Sequence, residues 1–139
     1  MKILTEAQRS SYLDRGYCAG HDWISGEWLD RLNQVTNAFV EESREVERSG
    51  AKFDLEPGHT RANPRLRRLN SPIDFHETYW EFASSGPFVD IAEDLLGANV
   101  KFHHSKLNFK WSGGGEAVKW HQDIQFWPHT NYDVLTICV

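Results

Sequence analysis

The sequence predicts an α+β fold in which helices pack against one side of a sheet. Two observations predict it. Apolar residues recur at helical spacing through residues 1–97, interrupted by cap and stop signals, whereas after Gly97 the chain turns to β-type runs separated by a glycine loop. Residues 1–139 accordingly read as a single domain, with a mainly helical layer at 1–97 and the first core strands at 98–139.

The elements follow in order. Thr5 to Arg15 reads as a helix, with Thr5 as N-cap, Glu6 in the first turn and Gly16 at its C-terminal end. Tyr17-Cys18-Ala19 is a short apolar run suited to a strand. Ser25 opens the longest helix, whose face is Trp28, Leu29, Leu32, Val35 and Phe39 and whose natural stop is Gly50. Its last turns, Glu41 to Arg48, are almost wholly charged and are expected to project into solvent. From Phe53 to Pro72, Pro57, Gly58, Pro64 and Pro72 break any regular pattern, and Arg61, Arg65, Arg67 and Arg68 form a basic cluster. A solvated loop face is the first reading of that cluster, and an arginine reaching an anionic ligand is the second. Two further helices are expected, Asp74 to Phe82 and Pro87 to Leu96, the latter with proline at its first position and Gly97 at its end. Strands are expected at Val100 to Trp111, Val118 to Phe126 and Asp133 to Val139, with Gly113-Gly114-Gly115 between the first two. Val134-Leu-Thr-Ile-Cys-Val139 is a buried-looking run that stops without a polar tail, so the sheet is expected to be incomplete or to need a partner at an open edge.

Composition narrows the function. The formal charge of −5 offers no basic field to nucleic acid or an anionic membrane. No apolar run approaches the roughly 18 residues of a membrane span, and the start of the chain lacks a signal-peptide apolar region. A cytoplasmic, soluble protein is expected. Cys18 and Cys138 are far apart and form no CxxC pattern, which favours two buried thiols in a reducing compartment. Six Trp and eight Phe suit an apolar pocket or simply a core.

The chemistry centres on Trp120-His121-Gln122-Asp123. Side chains at i and i+2 of an extended segment point the same way, so His121 and Asp123 can present an imidazole nitrogen and a carboxylate oxygen to one ion. One carboxylate with histidines, leaving adjacent positions open, is the facial triad of non-haem Fe(II) oxygenases. The tripeptide alone fits a histidine hydrogen-bonded to Asp123 better than a metal site, and the surrounding motifs decide.

Those motifs are His103-His-Ser-Lys-Leu-Asn-Phe-Lys110, a glycine-containing loop, and Trp120-His-Gln-Asp-Ile-Gln-Phe-Trp-Pro-His129, preceded by Phe53-Asp-Leu-Glu-Pro-Gly-His59 and Leu95-Leu-Gly97. In that order they resemble the phytanoyl-CoA dioxygenase family over most of the chain, most specifically from Ser105 to Pro128. The resemblance implies N-terminal helices packed on part of a double-stranded β-helix (jelly-roll) sheet, the barrel being incomplete in this chain. It implies Fe(II) as cofactor and 2-oxoglutarate as cosubstrate, with His121 and Asp123 in the first two ligand positions. Asp at 123, rather than a small residue, implies hydroxylation of a small organic or acyl substrate rather than halogenation. Lys110 matches a basic position that contacts the 2-oxoglutarate carboxylate in some relatives, and a surface lysine is the other reading. Asn108, two residues earlier, could donate to the same acid, and Gln122 could orient the ligands from behind. His104 occupies a position that contacts substrate in some relatives, and Trp127 could line the pocket or belong to the core.

The family's third ligand, a histidine, and its 2-oxoglutarate-anchoring arginine are expected further downstream than Val139. His129, His103 and His104 would need a new geometry to substitute. Three readings follow in order. The first is the N-terminal portion of a 2-oxoglutarate-dependent dioxygenase. The second is a truncated, non-catalytic binding module that self-associates or accepts a complementing chain through an open sheet edge. The third is a hydrolytic zinc site using His121, Asp123 and another histidine.

Overall fold

A computed structural model describes residues 1–131 and 133–139. It divides into two compact units. One comprises Ile24–Ser84 and Phe102–Ala117, the other Met1–Trp23, Ser85–Lys101 and Val118–Val139.

The first unit holds helix α2 (Gly26–Glu42), strands β1 (Phe53–Leu55), β2 (Leu66–Asn70) and β3 (Lys106–Asn108), and nearly all of helix α3 (Glu77–Ser85). The strands form an antiparallel sheet in the order β1-β2-β3, which is not closed into a barrel. Leu69 is central, paired with Phe53 on one side and Leu107 on the other. The core is Phe39, Phe53, Leu66, Leu69 and Tyr79, with Leu32, Val35 and Leu107 among the half-buried residues packed on it. Leu32, Val35 and Phe39 of the expected apolar stripe thus pack on this core and Trp28 meets Phe82 with ring centroids 5.1 Å apart, whereas Leu29 is exposed.

Beside this core, Lys52 Nζ lies 4.4 Å from the Phe39 ring centre and 4.9 Å from that of Phe53 while pairing with Glu42. Its charge is held on aromatic faces at the end of α2.

Two expectations for this unit are corrected. Residues 53–72, where the sequence breaks every regular pattern, contain β1 and the central strand β2. Pro57 and Gly58 belong to the connection between these strands, and a register shift opposite Asp54/Leu55 leaves Arg67 as an extra residue on β2. Plain alternation would send Leu66 and Leu69 to opposite faces. The extra residue instead brings both to the core, fully buried. The arginines are paired to protein groups: Arg61 with Glu45, Arg65 with the Gly114 carbonyl, Arg67 with Asp54 and Glu116, and Arg68 with Asn108. The second correction concerns the charged end of α2. The helix stops at Glu42 rather than near Gly50, and a 3₁₀ turn, Ser43–Glu45, follows. Ser43 is buried, its hydroxyl donates to the Val40 carbonyl, and its own carbonyl accepts from His59 Nε2 at 3.0 Å. Arg44 donates to the carbonyls of Arg61 and Ala62, so the chain is tied down at Ser43 and Arg44, while Glu41, Glu42, Glu45, Glu47 and Arg48 are exposed as expected.

Helix α3 starts three residues later than expected because Pro72–Asp74 first forms a 3₁₀ turn. His76 Nδ1 then accepts the Thr78 amide and caps the helix.

The second unit contains helix α1 (Glu6–Arg15), helix α4 (Pro87–Leu96) and the segment 118–139. Both helices occupy the expected residues. Thr5 and Gln8 form a capping box, and Gly16 ends α1 in the left-handed region at φ 81°. Gly86 and Pro87 open α4, and Ile91 is buried. Asp94 of α4 is 4% exposed and accepts the backbone amides of Lys2, Ile3 and Leu4 at 2.7–2.9 Å. The Lys2 ammonium adds bonds to Asp90 and Glu93.

Of the strands expected after Gly97, only Lys106–Asn108 forms among the described residues. A β ladder needs a neighbour for its backbone groups, and β2 is only five residues long. Residues 17–19, 118–126 and 133–139 likewise contain no strand among those described, and a 3₁₀ turn occupies Asp123–Gln125. Both cysteines are free, but neither is buried as expected: Cys18 is half-buried, and Cys138 is exposed because its segment joins no sheet. No helix among the described residues is long and apolar enough to cross a membrane.

Candidate metal centre

The chain approaches the His-Gln-Asp segment through the glycine loop. Gly113 and Gly114 have φ of 84° and 110°, a region in which side chains are strained. Three elements hold this loop. The buried Glu56 carboxylate accepts the Glu116 amide at 2.9 Å, and Arg65 donates to the Gly114 carbonyl at 2.8 Å. Lys110 Nζ donates to the Glu116 carbonyl at 2.6 Å. An open cleft of about 500 Å³ is lined by Glu56, Arg65 and the loop.

His121 and Asp123 belong to the following segment. Gln122 between them is extended (φ −108°, ψ 127°), and the 3₁₀ turn begins at Asp123, whose carbonyl accepts from the Phe126 amide. The i and i+2 side chains therefore meet, although the backbone is a turn entry rather than the expected strand. His121 Nε2 lies 3.2 Å from Asp123 Oδ1. His121 Nδ1 lies 2.7 Å from the Lys119 carbonyl oxygen. A carbonyl only accepts, so this contact places a proton on Nδ1 and leaves Nε2 of a neutral ring with a free lone pair.

Asp123 Oδ1 is buried and makes no hydrogen bond, whereas Oδ2 accepts from the Thr136 hydroxyl at 3.2 Å. Nε2 and Oδ1 are thus two acceptors 3.2 Å apart with no hydrogen bond between them, an arrangement that a shared cation would satisfy. Ligands about 2.0–2.2 Å from a divalent metal and at right angles stand about 3 Å apart, close to the separation seen. The donor set fits the group that the motif implied. Phe126 flanks it, its ring centre 5.7 Å from that of His121.

The other residues singled out from the sequence are distributed between the units. Gln122 and Trp127 share a unit with His121 and Asp123, whereas Lys110, Asn108 and His104 belong to the sheet unit. Gln122 is exposed, and Trp127 is half-buried beside Phe126. Lys110 is engaged with the loop, and Asn108 accepts from Arg68 Nε at 3.0 Å through its side-chain oxygen. His104 is exposed, with its Nδ1 2.6 Å from that of His103. Among the described residues, no three His, Cys, Asp or Glu side chains gather to hold a metal. Sequence reasoning missed Thr136, Lys119 and Glu56, since each acts through a spatial contact with no local motif.

The sequence pattern of the Phytanoyl-CoA dioxygenase (PhyH) family matches residues 12–139. The chain belongs to this family. Among curated relatives, it is 31% identical over 130 residues to a protein of Stutzerimonas stutzeri named "Probable alpha-ketoglutarate-dependent hypophosphite dioxygenase", covering 94% of this chain and 45% of that one. It is 38% identical over 64 residues to L-proline trans-4-hydroxylase of Streptomyces griseoviridis, covering 46% of this chain and 24% of the relative. Ectoine dioxygenase of Halomonas elongata is 24% identical over 127 residues, covering 89% and 36% respectively. This phytanoyl-CoA dioxygenase family chain spans less than half the length of each of these relatives.

Proposed function

We propose that this chain supplies two iron ligands, His121 Nε2 and Asp123 Oδ1, to an Fe(II)- and 2-oxoglutarate-dependent dioxygenase acting on a small molecule. The observation that carries the proposal is the pair of acceptors 3.2 Å apart, one of them a buried oxygen without a hydrogen bond. Family membership and relatives named as dioxygenases and a hydroxylase support the same reading. The antiparallel strands then form part of the double-stranded β-helix.

Bound Fe(II) would supply the redox chemistry by which O₂ converts 2-oxoglutarate to succinate and CO₂ while one oxygen atom enters a C–H bond of the substrate. The chain's own groups do the placing. The Lys119 carbonyl fixes the imidazole tautomer, so that the metal-facing nitrogen keeps its lone pair. The Asp123 carboxylate supplies negative charge that offsets part of the metal's. Lys110, Asn108 and Gln122 are assigned to the dianionic cosubstrate, and His104 and Trp127 to the substrate.

The test is succinate formation from 2-oxoglutarate under air with added Fe(II), using the chain extended to its relatives' length. Turnover without substrate is expected, with a loss of at least about 100-fold in His121→Ala and Asp123→Ala, in line with removing a ligand rather than an outer contact. Activity that survives both changes, or no turnover in the extended wild type, overturns the proposal. Preferential stabilisation by zinc with no response to 2-oxoglutarate would favour the hydrolytic reading.

A further inference from the structure

We infer that Thr136 is a positioning residue for the metal-binding carboxylate, selecting which oxygen of Asp123 faces the metal; this rests on the reading of His121 and Asp123 as ligands. A carboxylate has two equivalent oxygens and turns readily about its last torsion. Here the equivalence is broken. Oδ2 accepts the Thr136 hydroxyl at 3.2 Å, while Oδ1 is buried, makes no hydrogen bond and lies 3.2 Å from His121 Nε2.

Thr136 reaches across thirteen residues of sequence to make this bond. Its residue is exposed, so its hydroxyl could bond to water equally well and needs no protein partner to avoid a burial cost. The consequence falls on Asp123. The bond at Oδ2 turns the carboxylate so that Oδ1 is the oxygen beside His121, and the metal is reached through that oxygen.

The backbone carbonyl of Lys119 does the corresponding work for His121, holding the far nitrogen while the near one faces the site. Both ligands are thus oriented from behind by groups of the same unit.

The experiment is Co(II) titration of the 139-residue chain, followed by visible absorption, with folding checked by circular dichroism. Thr136→Val keeps the shape and removes the hydroxyl, and should weaken Co(II) about tenfold. Thr136→Ser keeps the hydroxyl and should bind within about twofold of wild type. Wild-type affinity in Thr136→Val, with binding lost in Asp123→Ala, overturns the inference and leaves the ligand assignment standing. Equal weakening by Val and Ser also overturns it, since methyl packing would then be the cause. Wild-type binding in both His121→Ala and Asp123→Ala, or no binding by the wild type, overturns the ligand assignment itself and the inference with it.

Discussion

Burial alone would raise the pKa of the Asp94 carboxyl group. The amides of Ile3, Leu4 and Lys2, together with the positive N-terminal amine, more than offset this and hold it below the usual carboxylate value. The stabilisation is therefore present above the unfolded pKa, about 3.9, and is lost as pH falls through the lower folded value. Asp94→Asn should melt at a lower temperature than wild type at neutral pH. The gap should stay constant down to about pH 5 and close progressively below about pH 4, as read from thermal melts followed by circular dichroism. A gap independent of pH would mean that the amide replaces the carboxylate equally well. Leu69 is a simpler case, because it is fully buried at the centre of the sheet. Leu69→Ala should cost about 2–5 kcal/mol, seen in urea as a lower midpoint with an unchanged slope. That the His121 and Asp123 side chains meet is legible at this scale, because residues at i and i+2 can come together without help from distant sequence. Thr136 was not, because its role depends on a chain reversal that no local pattern announces.

The legibility of each element follows the range of the forces that form it. Helices α1 and α4 were read at their observed bounds because Thr5, Gly16, Pro87 and Gly97 are local signals that act on their own backbone. Strand β2 was missed because its extra residue, Arg67, spoils the alternation by which strands are recognised, and because paired arginines look the same in sequence as solvated ones. After Gly97 the error reversed. Apolar, β-prone runs were read as strands, yet a strand exists only where a neighbour takes up its hydrogen bonds. The glycine loop is held in the same way, by distant charged groups. Glu56→Ala should free the Glu116 amide and speed its hydrogen exchange about tenfold or more, since a bond to a charged group contributes about 1.5–3 kcal/mol. Unchanged exchange in residues 113–116 would show that Arg65 and Lys110 suffice to hold it. Lys110→Met should loosen the same loop even without 2-oxoglutarate, which separates its contact with Glu116 from its assigned contact with the cosubstrate.

At the scale of the whole molecule, Val118, Trp120, Phe126, Val134 and Val139 all present apolar surface to solvent. Such surface promotes association. The chain should scatter light increasingly with concentration, and a Trp120→Ser, Phe126→Ser double variant should scatter less. A monomeric wild type at high concentration would refute this. The two units also differ in how the chain builds them. The central core residues Phe39, Phe53, Leu66, Leu69 and Tyr79 all fall within one uninterrupted stretch, Ile24–Ser84. The other unit is assembled from three stretches, the last being Val118–Val139. During translation, at about 5–20 residues per second, the first core can begin to form while much of the chain is still being made. The unit carrying His121 and Asp123 must wait for its final segment to leave the ribosome. Until it does, Leu4 and Ile91, which are buried in the finished structure, stay open to solvent.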